Sequence, residues 1–233
     1  EPTQTKKLTE NVGVDLGVLN LATLSTGEVI EGAKSYRKYE KKLARIQWLN
    51  RHKVIRSSNW KRATVKIARL HRRIANIRKD TLHKLTTFLA KNHGKIVIEN
   101  LNVSGMLASR KLAKAIADMG FFEFRRQLDY KCKLYGSELI VADRWFASSK
   151  TCSCCGQVKG SLPLSVRIFE CVCGLSIDRD LNAALNLSQY GLGVSPSRVP
   201  GVAALAVSST VSACGLGEAD FSRMKQENNF KAI

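Results

Sequence analysis

Apolar and polar positions alternate along residues 11–17, with Val12 and Val14 on one side of a strand and Asp15 on the other. Residues 19–24 continue as a second strand, Ser25-Thr26-Gly27 is a turn signal, and residues 28–31 return as a third. The period then changes. Leu43, Ile46 and Leu49 recur on one face of a first helix, and Ile67, Leu70, Ile74, Ile77, Leu85 and Leu89 on one face of a second. Trp48 and Trp60 are open to two readings, core residues of this pair or platforms that stack on bases, and the core reading is preferred. Residues 94–101 read as a short buried strand, with Ile96 and Ile98 facing one way and Val97 and Glu99 the other. A single amphipathic helix is expected over residues 109–134, with Leu112, Ile116, Met119, Phe122, Phe124 and Leu128 in its buried stripe. Residues 139–142 form another strand, and Asp143 is a turn residue at its end. Late in the chain Leu181, Ala184, Leu185 and Ser188 share a helical face. Strands interleaved with helices predict an α/β fold.

The parts divide as a meander (1–35), a helical hairpin (36–92), a second strand-and-helix part (93–147), a cysteine-bearing module (148–176) and a closing helix (177–190). Residues 191–233, rich in Gly, Ser, Ala and Val without either period, are expected to be a flexible tail. Its apolar piece at 202–207 is too short to cross a bilayer.

The module at 148–176 carries the sharpest chemical signal. Cys152 and Cys155 are spaced C-x-x-C, Cys171 and Cys173 C-x-C, and each pair is followed by Gly. Four thiolates arranged this way can close a tetrahedron around one structural Zn²⁺, with the glycines letting the backbone turn back toward it. Cys154 is a spare thiol inside the first knuckle and competes with Cys155 for the ligand position. Clustered cysteines in this number suit a reducing compartment better than a disulfide framework.

Charge changes the picture again. The 233 residues carry 38 Lys and Arg against 19 Asp and Glu, a formal net charge of +19. Such an excess calls for a polyanionic partner, nucleic acid rather than a membrane surface. The excess concentrates on the helical hairpin, where Glu40 is the one acid between Lys38 and Asp80. A one-sign face repels itself, so Lys41, Lys42, Arg45, Lys61, Arg62, Lys66, Arg69, Arg72 and Arg73 are candidates for holding a phosphate backbone.

Three acids remain to be explained. Asp15 ends a strand, where Asp is depleted, and Gly13 and Gly17 are expected to leave open space beside it. Glu99 ends a later strand, and Asp180 begins the closing helix behind a capping Asp178. If the two strands are sheet neighbours, the helix can bring its acid to theirs. Such a cluster repels itself unless hard cations occupy it, and two Mg²⁺ or Mn²⁺ ions there can hydrolyse a phosphodiester. Asn182 is open to a ligand or phosphate-orienting role, or to a helix-surface one.

The segments Gly13-Val-Asp15-Leu-Gly17, Val97-Ile-Glu99-Asn-Leu101, Ser148-Ser-Lys-Thr-Cys152 and Asp178-Arg-Asp180-Leu-Asn182-Ala-Ala together resemble the TnpB family of bacterial insertion sequences, over roughly residues 11–190. The resemblance implies an RNase H-like (RuvC) mixed sheet with helices, interrupted by a helical insertion and a zinc ribbon. It implies a bacterial cytoplasmic, nucleoid-associated DNA endonuclease directed by a guide RNA from the transposon end. It carries the catalytic roles to Asp15, Glu99 and Asp180, choosing Asp180 over Asp178, and the zinc to Cys152, Cys155, Cys171 and Cys173. Arg179 falls in the matching segment without a role that the residues themselves suggest. Members of the family carry a larger N-terminal recognition region. The short polar start at Glu1 therefore raises the expectation of a fragment or processed chain. A non-catalytic nucleic-acid binder and a strand-transfer transposase are the competing expectations.

Overall fold

The computed structural model describes residues 6–163 and 165–193, so the expected tail lies outside the described residues from 194 onward. Strand β1 (Thr9–Asp15) is the centre of a mixed sheet. It pairs antiparallel with β2 (Ala22–Leu24), which pairs antiparallel with β3 (Val29–Ile30). On its other side β1 pairs parallel with β4 (His93–Glu99), and β4 pairs parallel with β5 (Glu138–Ala142). The order β3-β2-β1-β4-β5 is the RNase H-like arrangement expected from the sequence, with β2 and β3 shorter than the alternation suggested.

The long route from β3 to β4 is the helical hairpin. Helix α1 (Ser35–Arg51) and α2 (Ser58–Asn92) match the expected periodicity. Their contact is small: Leu43 packs on Leu70 and Ile74, with Ile46 and Ile67 at the margin. Trp48, assigned to the core, is instead 53% exposed and stands edge-on to His52. Leu49 is exposed as well, because two helices alone bury one narrow stripe each. Trp60 is half-buried at the start of α2, where Ser57 Oγ accepts from its backbone N–H. Helix α1 is capped across space. No side chain of its own N-cap serves, and Asp118 instead accepts from Ser35 Oγ and from the Tyr36 and Arg37 backbone N–H groups.

The helix expected over 109–134 is in fact broken. A short α3 (Val103–Leu107) leads into α4 (Ala113–Met119) and α5 (Phe121–Tyr135), and Gly120 between the last two is left-handed at φ 73°. A Cβ at Gly120 would stand 3.1 Å from Arg78 Cδ and 3.2 Å from Leu82 Cδ1, so the glycine also lets the start of α5 seat closely on α2. The rotation moves Phe121 into the core and leaves Phe122 72% exposed, against expectation; Leu112 is exposed too.

The sheet is covered on both faces. Val12, Val14, Ile96 and Ile98 pack against Leu82, Leu85 and Leu89 of α2 and Phe124 and Leu128 of α5. The opposite face, with Val97 and Ala142, packs against Leu187 of α6 (Arg179–Gly191). Gly13 belongs to this second face and its space is filled. A Cβ there would lie 2.0 Å from the Ala184 carbonyl oxygen and 2.5 Å from the Ser188 nitrogen, so the glycine admits the backbone of α6, not a ligand. Asn11 Nδ2 anchors the same contact by donating to the Ser188 carbonyl.

Gly13→Ala is therefore expected to destabilise the protein by about 3 kcal/mol, since rigid helix backbone must move. A urea titration checks it: the midpoint should fall with the slope unchanged.

Candidate active site and metal centre

Asp15 and Glu99 are the last residues of β1 and β4, which run parallel with Val14 beside Ile98. Each is one residue beyond that pair, so both leave the sheet at one edge, on the face that α6 covers. Asp180 lies in the first turn of α6, whose start is set by Asp178: its carboxylate accepts from the Asp180 and Leu181 backbone N–H groups at 2.9 and 3.0 Å. All three acids are half-buried.

Asp15 feels the other two. Burial, then the carboxylates of Glu99 and Asp180, hold the Asp15 carboxyl well above the usual range, with Arg179 opposing. Asp180 is also raised, by burial and then by Asp178, against Arg167 and Arg179. Glu99 is oriented by Ser148, whose hydroxyl donates to Glu99 Oε1. The three carboxylates are not drawn tightly together. Among the described residues, the set of His, Cys, Asp or Glu whose ligand atoms all lie within 4.8 Å of one another is Cys152, Cys155, Cys171 and Cys173.

Cys155 belongs to that set and Cys154 does not. Cys152 and Cys173 Sγ are 3.6 Å apart, as are Cys155 and Cys171. Thiolates about 2.3 Å from a central Zn²⁺ would stand about 3.8 Å apart at a tetrahedron's corners, so the donor set fits zinc. Gly156 and Gly174 adopt φ 73° and 92°, the left-handed turns that bring each knuckle round. The second knuckle is the tip of a hairpin formed by β6 (Ile168–Glu170) and β7 (Ser176–Asp178), and β7 runs directly into α6.

The residues around the motifs prove to be clamps. Asn182 is fully buried: its Oδ1 accepts from Ser153 N and its Nδ2 donates to Thr151 O. The ligand or phosphate role left open for it is thus excluded by its own bonds. Asn186 Nδ2 donates to the carbonyls of Ser148 and Thr151, and Gln189 Nε2 to that of Ser153. This amide ladder ties the first knuckle to α6. Sequence reasoning missed it, although the i, i+4, i+7 spacing of 182, 186 and 189 was the available signal. Arg179 acquires a role too, donating from Nη1 to the Pro163 carbonyl at 2.9 Å at the far side of the ribbon. Asp143 is the turn residue expected, accepting from Trp145 N at 2.8 Å.

A cleft of about 380 Å³ opens beside Glu99, between the Asn100–Asn102 loop and residues 143–150. The nine basic candidates, Lys41, Lys42, Arg45, Lys61, Arg62, Lys66, Arg69, Arg72 and Arg73, all lie exposed on α1 and α2, away from that cleft's walls. None enters an ion pair among the described residues. Among those residues, no helix is long and apolar enough to cross a membrane.

Two family models match, one described as "Probable transposase" over residues 1–110 and one as "Cas12f1-like, TNB domain" over 121–187. A Streptomyces pristinaespiralis protein named "Putative RNA-guided DNA endonuclease" is 48% identical over 80% of this chain and 46% of its own length. An Escherichia coli K12 protein named "Putative RNA-guided DNA endonuclease InsQ" is 42% identical over 78% of this chain and 49% of its own. The mimivirus "TnpB-like protein L79" is 35% identical over 54% of this chain and 25% of its own. The chain thus spans about half, or less, of the length of these relatives. In fold, it superposes on a solved Cas12f1-sgRNA-target DNA complex with a TM-score of 0.55 at 22% identity, over 76% of this chain and 49% of that one. Sequence matches on both sides of the Gly120 break, and relatives up to 48% identical, place this chain in the TnpB family.

Proposed function

We propose that this chain carries the divalent-cation-dependent nuclease core of an RNA-guided DNA endonuclease, with Asp15, Glu99 and Asp180 at its centre. The observation that carries the reading is that Asp15 and Glu99 end neighbouring parallel strands on the face covered by the helix whose first turn bears Asp180. Oxygen donors of this kind suit hard cations such as Mg²⁺ or Mn²⁺. When bound, two such ions supply activation of a water and stabilisation of the leaving oxygen. The chain's own residues keep the ligands in place. Ser148 holds Glu99, Asp178 fixes the helix turn bearing Asp180, and β1 holds Asp15 through its ladder. The exposed cations of α1 and α2 neutralise phosphates of the guide RNA or target DNA, which positions the strand without reading its sequence. The guide derives from the transposon end on this reading, and the cysteine set holds a structural zinc.

Asp15→Ala is expected to cut DNA at least about a thousand-fold more slowly in Mg²⁺ or Mn²⁺, with binding within about twofold of the parent. Undiminished cleavage would leave the non-catalytic binder as the better account.

The raised acids make a stability prediction of known sign. The folded protein holds protons on Asp15 and Asp180 that the unfolded chain gives up near its ordinary carboxylate range. In cation-free buffer, the contribution of these two groups is accordingly greatest below the ordinary carboxylate range and is lost as pH rises through the raised values. The difference in melting temperature between Asp15→Asn and the parent should therefore grow in favour of the variant as pH rises, and added Mg²⁺ should shrink it.

Zinc should be found at about one ion per chain by mass spectrometry. It should survive Cys154→Ser and be lost in Cys171→Ser, which should also melt at a lower temperature.

A further inference from the structure

The turn after β5 divides two adjacent aromatic residues. Phe146 points inward, its ring centroid 4.9 Å from that of Tyr190. Trp145 points outward and is 87% exposed, the largest side chain on the cleft's rim. The turn that displays it is well fixed. Asp143 accepts from Trp145 N through its side chain and from Phe146 N, at 3.1 Å, through its carbonyl. An indole held in water on a hydrogen-bonded turn adds little to folding, which leaves its face free to meet a partner.

That setting is specific. The same cleft is walled by Glu99 and carries Arg144 and Lys150 beside the indole. Across it, Asn100 is steadied by Arg125, whose Nη1 donates to Asn100 Oδ1 at 3.0 Å. A flat π face, nearby cations and an adjacent acid edge match a polynucleotide whose bases are free to stack. Paired bases inside a duplex are not available to an indole on a surface turn.

We propose that Trp145 is a stacking platform for a base of single-stranded DNA, seating the strand in the cleft so that its phosphates pass Glu99. The assignment of the strand as DNA rests on the nuclease reading above; the stacking itself does not.

The test is binding by the 233-residue chain to short labelled oligonucleotides in buffer without added divalent cation, so that no cleavage enters. Trp145→Ala should weaken single-stranded DNA binding about five- to a hundred-fold, the range for loss of one base–aromatic stack. Trp145→Phe should restore most of it, and duplex DNA should bind all three proteins alike. A 2-aminopurine in the strand should be quenched by the parent and by Trp145→Phe, and not by Trp145→Ala. Single-stranded binding by Trp145→Ala within about twofold of the parent would overturn the proposal. So would equal losses on single-stranded and duplex DNA, or a loss confined to RNA. If stacking fails while Asp15→Ala still abolishes cleavage, the nuclease reading stands; if Asp15→Ala cuts normally while Trp145→Ala loses the strand, the platform stands without it.

Discussion

The structure depends on one close approach, the backbone of α6 lying directly on β1 at Gly13. No side chain intervenes there, and the helix carbonyl at Ala184 occupies the place of a Cβ. At the other end of α6, Gly191 makes room for a side chain of the next strand, since a Cβ there would stand 2.3 Å from Val97 Cγ2. A helix seated that low on a sheet has little freedom to slide or tilt. Its first turn therefore delivers Asp180 to the sheet edge where Asp15 and Glu99 end, although the three lie far apart along the chain.

The same helix organises the ribbon. Leu181 and Leu185 complete the small apolar core under Phe169 and Ile177, while the amides of Asn182, Asn186 and Gln189 bind the first knuckle's backbone. Ser148 closes the circuit, since its carbonyl accepts from Asn186 and its hydroxyl donates to Glu99. The cysteine module and the acid on β4 are thus joined through two hydrogen bonds of one serine. The bond to Asn186 is buried, and a buried bond of this kind is costly to leave unmade.

What could be read in advance followed from local physics. Period two marked β1 and β4 and put Glu99 on the face opposite Ile96 and Ile98; the thiol spacing marked the cysteine cluster; the one-sign charge marked the exposed helices. What escaped was set by distant partners. Gly120 interrupts an apolar stripe that continues on both sides, and a glycine within a helix costs only about 1 kcal/mol, so nothing local announces the break. Trp48 looked like core because its size argues for burial, but the hairpin has no third layer to cover it. The open space imagined beside Asp15 was the seat of a helix that arrives more than 160 residues later, roughly the separation of Gly13 from Ala184. The metal-like reading of Asn182 failed for the same reason, its partners being backbone atoms of the ribbon.

The cap on α1 has a further meaning. Lys34 sits left-handed at φ 43° and no neighbouring side chain satisfies the first N–H groups of the helix; Asp118, on α4, does so from across the fold. Initiation of the cationic arm is thereby made conditional on assembly of the centre. A nascent or partly unfolded chain has the same positive charge but lacks the brace that aims it, so ordered presentation of the arm is a property reserved for molecules that have completed folding.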